Sequence, residues 1–151
     1  MDYSQLGFMV VDDDPTILKL VEAFLHTAKA KKVITTEDAA TAGALMAANR
    51  VPIHCIICDY AMSPLSGLDM LRLIRAGRID NVATSLCFVM LTASGLNEVV
   101  KAAIELDVSG YVRKPFTQIS LLKTIDRSLT RLISPKAPGE YDQVLLPRPG
   151  N

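Results

Sequence analysis

The sequence predicts an α/β fold: a doubly wound parallel sheet of five strands, built as five successive strand–helix units. Five short apolar runs alternate with segments whose apolar residues recur every three or four positions, the spacing of an amphipathic helix. The runs are continuously apolar, which is typical of parallel strands covered on both faces. With 151 residues, the chain is long enough to form one domain with its own core.

The first two strand–helix units open the chain. The run GFMVV predicts a strand at 7–11. Asp14 and Pro15 have the residue types of a helix N-cap and a first helical position, so a helix is expected over about 15–28. The run KKVITT and the alanine-rich stretch after it predict the second unit, with a strand at 31–36 and a helix over about 37–49.

The third and fourth units follow the same pattern. The run IHCIIC predicts a strand at 53–58, and the turn residues Pro64 and Gly67 separate it from the next helix. That helix is expected over about 67–76. The run LCFVML and the periodic segment after it predict the fourth unit, with a strand at 86–91 and a helix over about 97–107.

The fifth unit completes the domain. The run GYVR predicts a strand at 110–113, and a periodic segment predicts a helix over 118–133. From Ser134 onward the composition changes to four prolines and two glycines. We therefore predict a domain over 1–133 and a mobile tail or linker remnant over 134–151.

Composition and cysteine usage exclude several classes of protein. The formal net charge is zero, so no basic footprint predicts direct binding to nucleic acid. No apolar run reaches the ~18 residues of a membrane span and no signal peptide is recognisable, so we expect a cytoplasmic protein without a membrane partner. Cys55, Cys58 and Cys87 are expected to be free thiols. Cys55 and Cys58 form a C-x-x-C within one strand, which places their side chains on opposite faces.

The ends of the predicted strands carry polar side chains that can bind a ligand or take part in a reaction. The carboxyl ends of parallel strands meet at one edge of the sheet, where such folds bind ligands. That edge would receive Asp12, Asp13, Asp59, Thr92 and Lys114. Clustered carboxylates suit Mg²⁺, and an aspartate carboxylate can also be a nucleophile toward phosphorus.

Four motifs resemble those of a known family. FMVVDDDP, CIICDYAMSPLSGLDML, VMLTAS and SGYVRKPF are similar to the motifs of bacterial two-component response-regulator receiver domains, especially the single-domain, chemotaxis-regulator-like ones. The similarity extends from about Phe8 to Ile133. It implies a flavodoxin-like sheet with the strand order 2-1-3-4-5.

The resemblance also implies roles for the clustered residues. Asp59 matches the aspartate that accepts a phosphoryl group. Asp13 matches the residue that binds Mg²⁺ directly, and Asp12 its neighbour, which acts through a metal-bound water. The backbone carbonyl of Ala61 would be a further metal ligand. Asp14 lies outside this set and keeps its predicted role as a helix cap.

Three further matches concern the response to phosphorylation. Thr92 matches the switch hydroxyl, Tyr111 the switch aromatic residue, and Lys114 the lysine that binds the phosphoryl group. The Lys114–Pro115 bond matches a cis peptide of the family. The chain departs from the family pattern in the order Met62-Ser63-Pro64 and in the small residues Ala61 and Ser94, two positions that influence the lifetime of the acyl phosphate.

The implied function is a phosphorylation-dependent switch. A sensor histidine kinase or histidine phosphotransfer protein would donate the phosphoryl group to Asp59. The modified protein would then bind an unidentified downstream target or form a homodimer. The only catalysis expected is self-catalysed phosphoryl acceptance and autodephosphorylation.

Three alternatives remain open at the level of the sequence. The chain fits a receiver-like interaction module that works without phosphorylation, although such modules usually lose the acidic set and the lysine. It also fits a fragment of a longer regulator whose effector domain followed the tail. A phosphohydrolase with an aspartyl-phosphate intermediate would normally need an acid–base aspartate two residues after Asp59, where this chain has Ala61.

Overall fold

The expected alternation of strands and helices is confirmed in the computed structural model, which describes residues 1–93 and 95–149. The strands are β1 Gly7–Val11, β2 Lys32–Thr36, β3 Cys55–Asp59, β4 Cys87–Thr92 and β5 Gly110–Arg113. The helices are α1 Pro15–Thr27, α2 Ala39–Ala48, α3 Gly67–Arg75, α4 Asn97–Glu105, α5 Gln118–Thr130 and α6 Pro138–Asp142. Within the described residues, no helix is both long and apolar enough to cross a bilayer.

The five strands form one parallel sheet in the order β2-β1-β3-β4-β5, as the resemblance implies. One face of the sheet packs against α1 and α5, and the other face packs against α2, α3 and α4. The three central strands are almost entirely buried, which explains why their sequences are continuously apolar. The sheet is therefore doubly wound.

Two strands extend one residue further than the apolar pattern predicts. β3 includes Asp59, which pairs with Leu91, and β4 includes Thr92, which pairs with Arg113. Ladder pairing continues past the last apolar residue because backbone hydrogen bonds do not depend on the side chain. These two polar residues are consequently fixed by the sheet itself and not by a following loop.

The two cysteines of the C-x-x-C lie on opposite faces of β3, as predicted. Cys55 packs in the cluster between the sheet and α1 with α5, and Cys58 packs in the cluster on the other side. Both thiols are fully buried and unpaired, and Cys87 is also free. The motif is therefore part of the core.

The segment after residue 133, expected to be a mobile tail or linker remnant, contains a short helix and packs against the domain. Residues 138–142 form α6, and Tyr141 is fully buried in the cluster beside α3 and α4. The Tyr141 hydroxyl donates to Asp107 Oδ2 at 2.7 Å and accepts a hydrogen bond from the Lys136 amide at 2.9 Å. The many prolines and glycines of this segment predicted a tail, although Tyr141 anchors it in the core.

The tail is docked along its length, and we call residues 136–149 the strap. Near the end of α3, Asp142 in the first half of the strap pairs with Arg78. Midway, Arg72 of α3 donates to the Val144 carbonyl. At its far end, Arg148 pairs with Asp69 in the first turn of α3. The strap therefore crosses the α3–α4 side of the domain and returns the chain to the carboxyl edge of the sheet.

We expect Tyr141→Ala to lower the free energy of unfolding by about 3 kcal/mol, since it empties a buried aromatic site. Tyr141→Phe keeps the ring and should cost only about 1 kcal/mol, the value of its hydrogen bond to Asp107. Urea unfolding of both variants measures these losses. Leu145→Ala is the control because Leu145 is 89% exposed. A loss for Tyr141→Ala no larger than that of the control would contradict the docking of the strap.

Candidate functional site

Three aspartates meet at the carboxyl edge of the sheet. Asp12 follows β1 and is fully buried, Asp59 ends β3 and is 4% exposed, and Asp13 is exposed. Each offers a carboxylate oxygen within 4.8 Å of the others. The convergence expected from the parallel topology is therefore present, and it produces a cluster with one open side.

Lys114 bridges the two buried carboxylates of this cluster. Its Nζ lies 2.8 Å from Asp12 Oδ2 and 3.0 Å from Asp59 Oδ1. The lysine is held at the end of β5 by a hydrogen bond from its amide to the Thr92 carbonyl, at 2.8 Å, and the following bond to Pro115 is cis, as the resemblance implies. Two adjacent buried anions are thereby compensated by one fixed cation.

The pKa values of Asp59 and Lys114 reflect their burial and the charges around them. Burial raises the pKa of Asp59 above its ordinary value, the charge of Asp12 raises it further, and Lys114 opposes both effects. For Lys114, burial alone would lower the pKa. The bonds and charges of Asp12 and Asp59 outweigh that effect together, so the pKa of Lys114 lies above its ordinary value. Asp59 is thus a carboxylate whose charge is costly to hold in this place.

Gly67 allows α3 to start directly against the end of β3. A Cβ at this position would lie 2.5 Å from the Asp59 carbonyl oxygen, a distance that no side chain tolerates. Its amide donates to the Tyr60 carbonyl at 2.9 Å. Ser66 and Asp69 close the helix start with a capping box. The backbone around Asp59 is consequently fixed on both sides.

The loop between β3 and α3 forms one wall of an open cleft. Ala61, Met62, Ser63 and Pro64 line it together with Asp13. The Ser63–Pro64 bond is cis. Ala61 is exposed and contributes only a methyl group to this wall.

The three consecutive aspartates have different surroundings, and the predicted helix cap at Asp14 is confirmed. The Asp14 carboxylate accepts a hydrogen bond from the Thr16 amide at 2.9 Å and caps α1. The Asp14 amide donates to Asp12 Oδ1 at 2.9 Å, which orients that buried carboxylate. Asp12 and Asp13 face the cluster, and Asp14 belongs to the helix.

The two residues predicted to act as the switch lie in neighbouring strands. Thr92 is fully buried at the end of β4. Tyr111 is half-buried on β5 and packs against the cluster beside α2, α3 and α4. Ser94, the other position linked to phosphate lifetime, lies outside the described residues.

Sequence reasoning missed two residues at the edge of this site, Tyr60 and Arg148. The Tyr60 hydroxyl, directly after Asp59, donates to the Pro147 carbonyl at 3.0 Å. Arg148 Nη1 lies 2.6 Å from Asp69 Oδ2, and the Arg148 side chain lines the same cleft as Asp13. The only signals were a tyrosine beside the aspartate and an arginine in a segment that lacks regular periodicity.

The chain is similar to proteins of one family. The model of the response regulator receiver domain matches residues 8–126. Chemotaxis protein CheY-3 of Vibrio cholerae is 29% identical over 127 residues, which cover 84% of this chain and 94% of that protein. Chemotaxis protein CheY of Pseudomonas aeruginosa is 27% identical, with 84% and 98% covered.

Solved structures show the same fold. The chemotaxis protein CheY4 of Vibrio cholerae superposes with a TM-score of 0.71 at 26% identity, covering 82% of this chain and 98% of that one. The receiver domain of a sensor histidine kinase from Pseudomonas aeruginosa, solved with a magnesium ion coordinated in its active site cleft, has a TM-score of 0.71 at 23% identity. It covers 84% of this chain and 99% of that one.

We expect Asp59→Asn to be more stable than the unchanged protein at pH 7 in metal-free buffer. A raised pKa means that the folded state binds the proton more tightly than the unfolded chain. The protonated carboxyl therefore favours folding below the ordinary value of 3.8, and this contribution is lost as the pH rises through the folded pKa. Removing the charge should raise the melting temperature by roughly 2–6 °C at pH 7.

Calorimetry at pH 7 and below pH 4 tests this expectation, since the advantage of Asp59→Asn should disappear in acid. Asp80→Asn removes an exposed carboxylate and is the control. A less stable Asp59→Asn at pH 7 would show that the Lys114 ion pair outweighs the cost of burial.

Proposed function

The chain belongs to the response regulator receiver domain family, and on this premise we propose that it is a phosphorylation-dependent signalling switch that accepts a phosphoryl group on Asp59. The observation that carries the proposal is the position of the Asp59 carboxylate. It lies at the open end of β3, 3.0 Å from Lys114 Nζ, and shares a cluster with Asp12 and Asp13. Receiver domains are signalling proteins of two-component systems and not classical enzymes.

The cluster fits Mg²⁺. Its donors are carboxylate oxygens, the ligands that this cation prefers, and one of them, Asp13, is open to solvent for bound waters. Asp13, Asp59 and the Ala61 carbonyl would bind the ion directly, and Asp12 would bind it through a water. When bound, Mg²⁺ supplies positive charge that offsets repulsion between the carboxylates and an incoming phosphoryl group.

The residues of the chain perform the transfer by position. An oxygen of Asp59 attacks the phosphorus of a phosphohistidine, so an O–P bond forms while the P–N bond to the imidazole breaks. Lys114 needs only a small movement to leave the carboxylate and bind a phosphoryl oxygen. The Thr92 hydroxyl, at the end of the adjacent strand, donates to another. Each such charge-assisted hydrogen bond contributes about 1.5–3 kcal/mol.

The same two residues connect the site to the surface. A shift of Thr92 toward the phosphoryl group would vacate space beneath Tyr111, which then turns inward and changes the face formed by α4, β5 and α5. That face already carries exposed apolar side chains, Ile104 of α4 and Ile119 of α5. It would bind a downstream protein or a second copy of this chain, with a histidine kinase or phosphotransfer protein as the donor, in the cytoplasm.

The complete cluster also separates this function from its rivals. A phosphohydrolase would need an acid–base carboxylate two residues after Asp59, and Ala61 is exposed there with no such group. A receiver-like module that works without phosphorylation would not need Lys114 between two buried carboxylates. The geometry therefore favours phosphoryl acceptance over both.

Incubation with acetyl phosphate and Mg²⁺ should add one phosphoryl group to the protein, observed by intact mass spectrometry. Asp59→Asn should remain unlabelled because it lacks the attacking carboxylate. Asp80→Asn, which removes an exposed carboxylate far from the cluster in sequence, should be labelled like the unchanged chain. Undiminished labelling of Asp59→Asn would assign the acceptor elsewhere.

Asp13→Ala should lose most of the Mg²⁺ affinity measured by calorimetry, since it removes the open carboxylate of the cluster. Asp14→Ala should keep that affinity and instead lose about 1 kcal/mol of stability as a missing helix cap. The two variants differ by one position and control for each other. Equal losses of Mg²⁺ affinity in the two variants would refute the assignment of Asp13 to the metal and of Asp14 to the helix cap.

A further inference from the structure

The far end of the strap lines the open cleft next to the acidic cluster. Arg148 and Pro149 line this cleft together with Asp13 and Ala61. Two contacts fix the end in place: the Tyr60 hydroxyl bonds the Pro147 carbonyl, and Asp69 bonds the Arg148 guanidinium. Tyr60 directly follows Asp59 in the chain. The strap thus brings a cation from the end of the sequence to this cleft.

The guanidinium of Arg148 retains capacity to attract an anion. Its hydrogen bond to Asp69 uses one of five N–H donors, and its side chain is 64% exposed. The Asp69 carboxylate also accepts from the Ser66 amide at 2.8 Å, so its charge is shared between two donors. Arg148 lines the same cleft as Asp13 and Ala61, so a phosphoryl donor that uses this cleft would come close to its guanidinium.

We propose that Arg148 is a further specificity-determining residue of the acceptor site, which the docked strap positions at the cleft to attract anionic phosphoryl donors and stabilise the phosphorylated form. This inference rests on the proposed function. It adds a group from outside the receiver motifs, because residue 148 lies beyond the matched residues 8–126.

Charge linkage determines the sign of the effect. At a constant Mg²⁺ concentration, beryllofluoride adds negative charge next to Asp59, with its fluorines in place of phosphoryl oxygens. The cleft that holds beryllofluoride therefore attracts the Arg148 guanidinium more strongly than the cleft without it. Coupling is reciprocal, so occupation of the acceptor should tighten the strap, and loss of the Arg148 charge should weaken the bound anion.

The test measures beryllofluoride affinity by calorimetry at saturating Mg²⁺ for the full chain and four variants. Arg148→Gln should bind about two- to fivefold more weakly at low ionic strength, the size expected for an exposed charge acting across a solvated cleft, and this difference should disappear near 0.5 M salt. Arg148→Lys should retain most of the affinity because it keeps the charge. With acetyl phosphate as donor, Arg148→Gln should raise the apparent KM and leave the maximal rate nearly unchanged.

Two variants separate this role from a structural one. Arg78→Gln breaks the ion pair with Asp142, six residues before Arg148 in the strap, and makes the same change in charge. It should leave the affinity for beryllofluoride unchanged. Asp59→Asn should abolish binding. Amide exchange of residues 141–147 in each variant reports docking of the strap, and in the unchanged chain the protection of these residues should increase when beryllofluoride binds.

The outcomes distinguish the two proposals. No binding of beryllofluoride by the unchanged chain would overturn the proposed function and this inference with it. Binding that Arg148→Gln does not weaken, or that Arg78→Gln weakens equally, would overturn the role of Arg148 alone. A tighter complex for Arg148→Gln would also overturn it, since the strap would then oppose phosphorylation.

Discussion

The ion pairs of Lys114 with Asp12 and Asp59 are the interaction on which the site depends. Two carboxylates buried side by side repel each other and lose their hydration, so the fold tolerates them only with a compensating cation. Lys114 reaches both from the end of β5, at 2.8 Å and 3.0 Å. Burial and the charge of Asp12 raise the pKa of Asp59, and Lys114 opposes that rise. The ion pair also places beside the carboxylate the same cation that a phosphoryl group would need.

The topology explains why these residues meet, although they are far apart in the sequence. All five strands are parallel, so every strand delivers its last residue to one edge, and the order β2-β1-β3-β4-β5 puts β3 between β1 and β4. Asp12, Asp59 and Thr92 consequently come from adjacent strands. The close approach of Gly67 to the Asp59 carbonyl then fixes where α3 begins. The arrangement is a property of the backbone as much as of the side chains.

Local patterns were sufficient to predict most of the fold and the members of the acidic cluster. Apolar runs, the Asp14–Pro15 helix start and the strand-end positions of Asp59 and Lys114 each have a local physical cause. The strap could not be read in this way, since its contacts join Tyr141 and Arg148 to residues 34 and 79 positions away. The buried Arg75 is a similar case. It is 1% exposed because the carbonyls of Thr84, Leu86 and Asp107 accept its N–H groups, and no sequence pattern announces such partners.

The course of the strap also determines where a polypeptide attached after it would begin. α5 ends at the amino edge of the sheet, and a chain that continued directly from it would point away from the acceptor. The strap instead carries the chain back along α3, so that Pro149 lies at the cleft beside Asp13. A domain or peptide joined there by a short flexible linker would be held near Asp59 at an effective concentration on the order of millimolar. Tethering at this end of the chain would therefore make even a weakly binding phosphoryl donor or target act as an intramolecular partner.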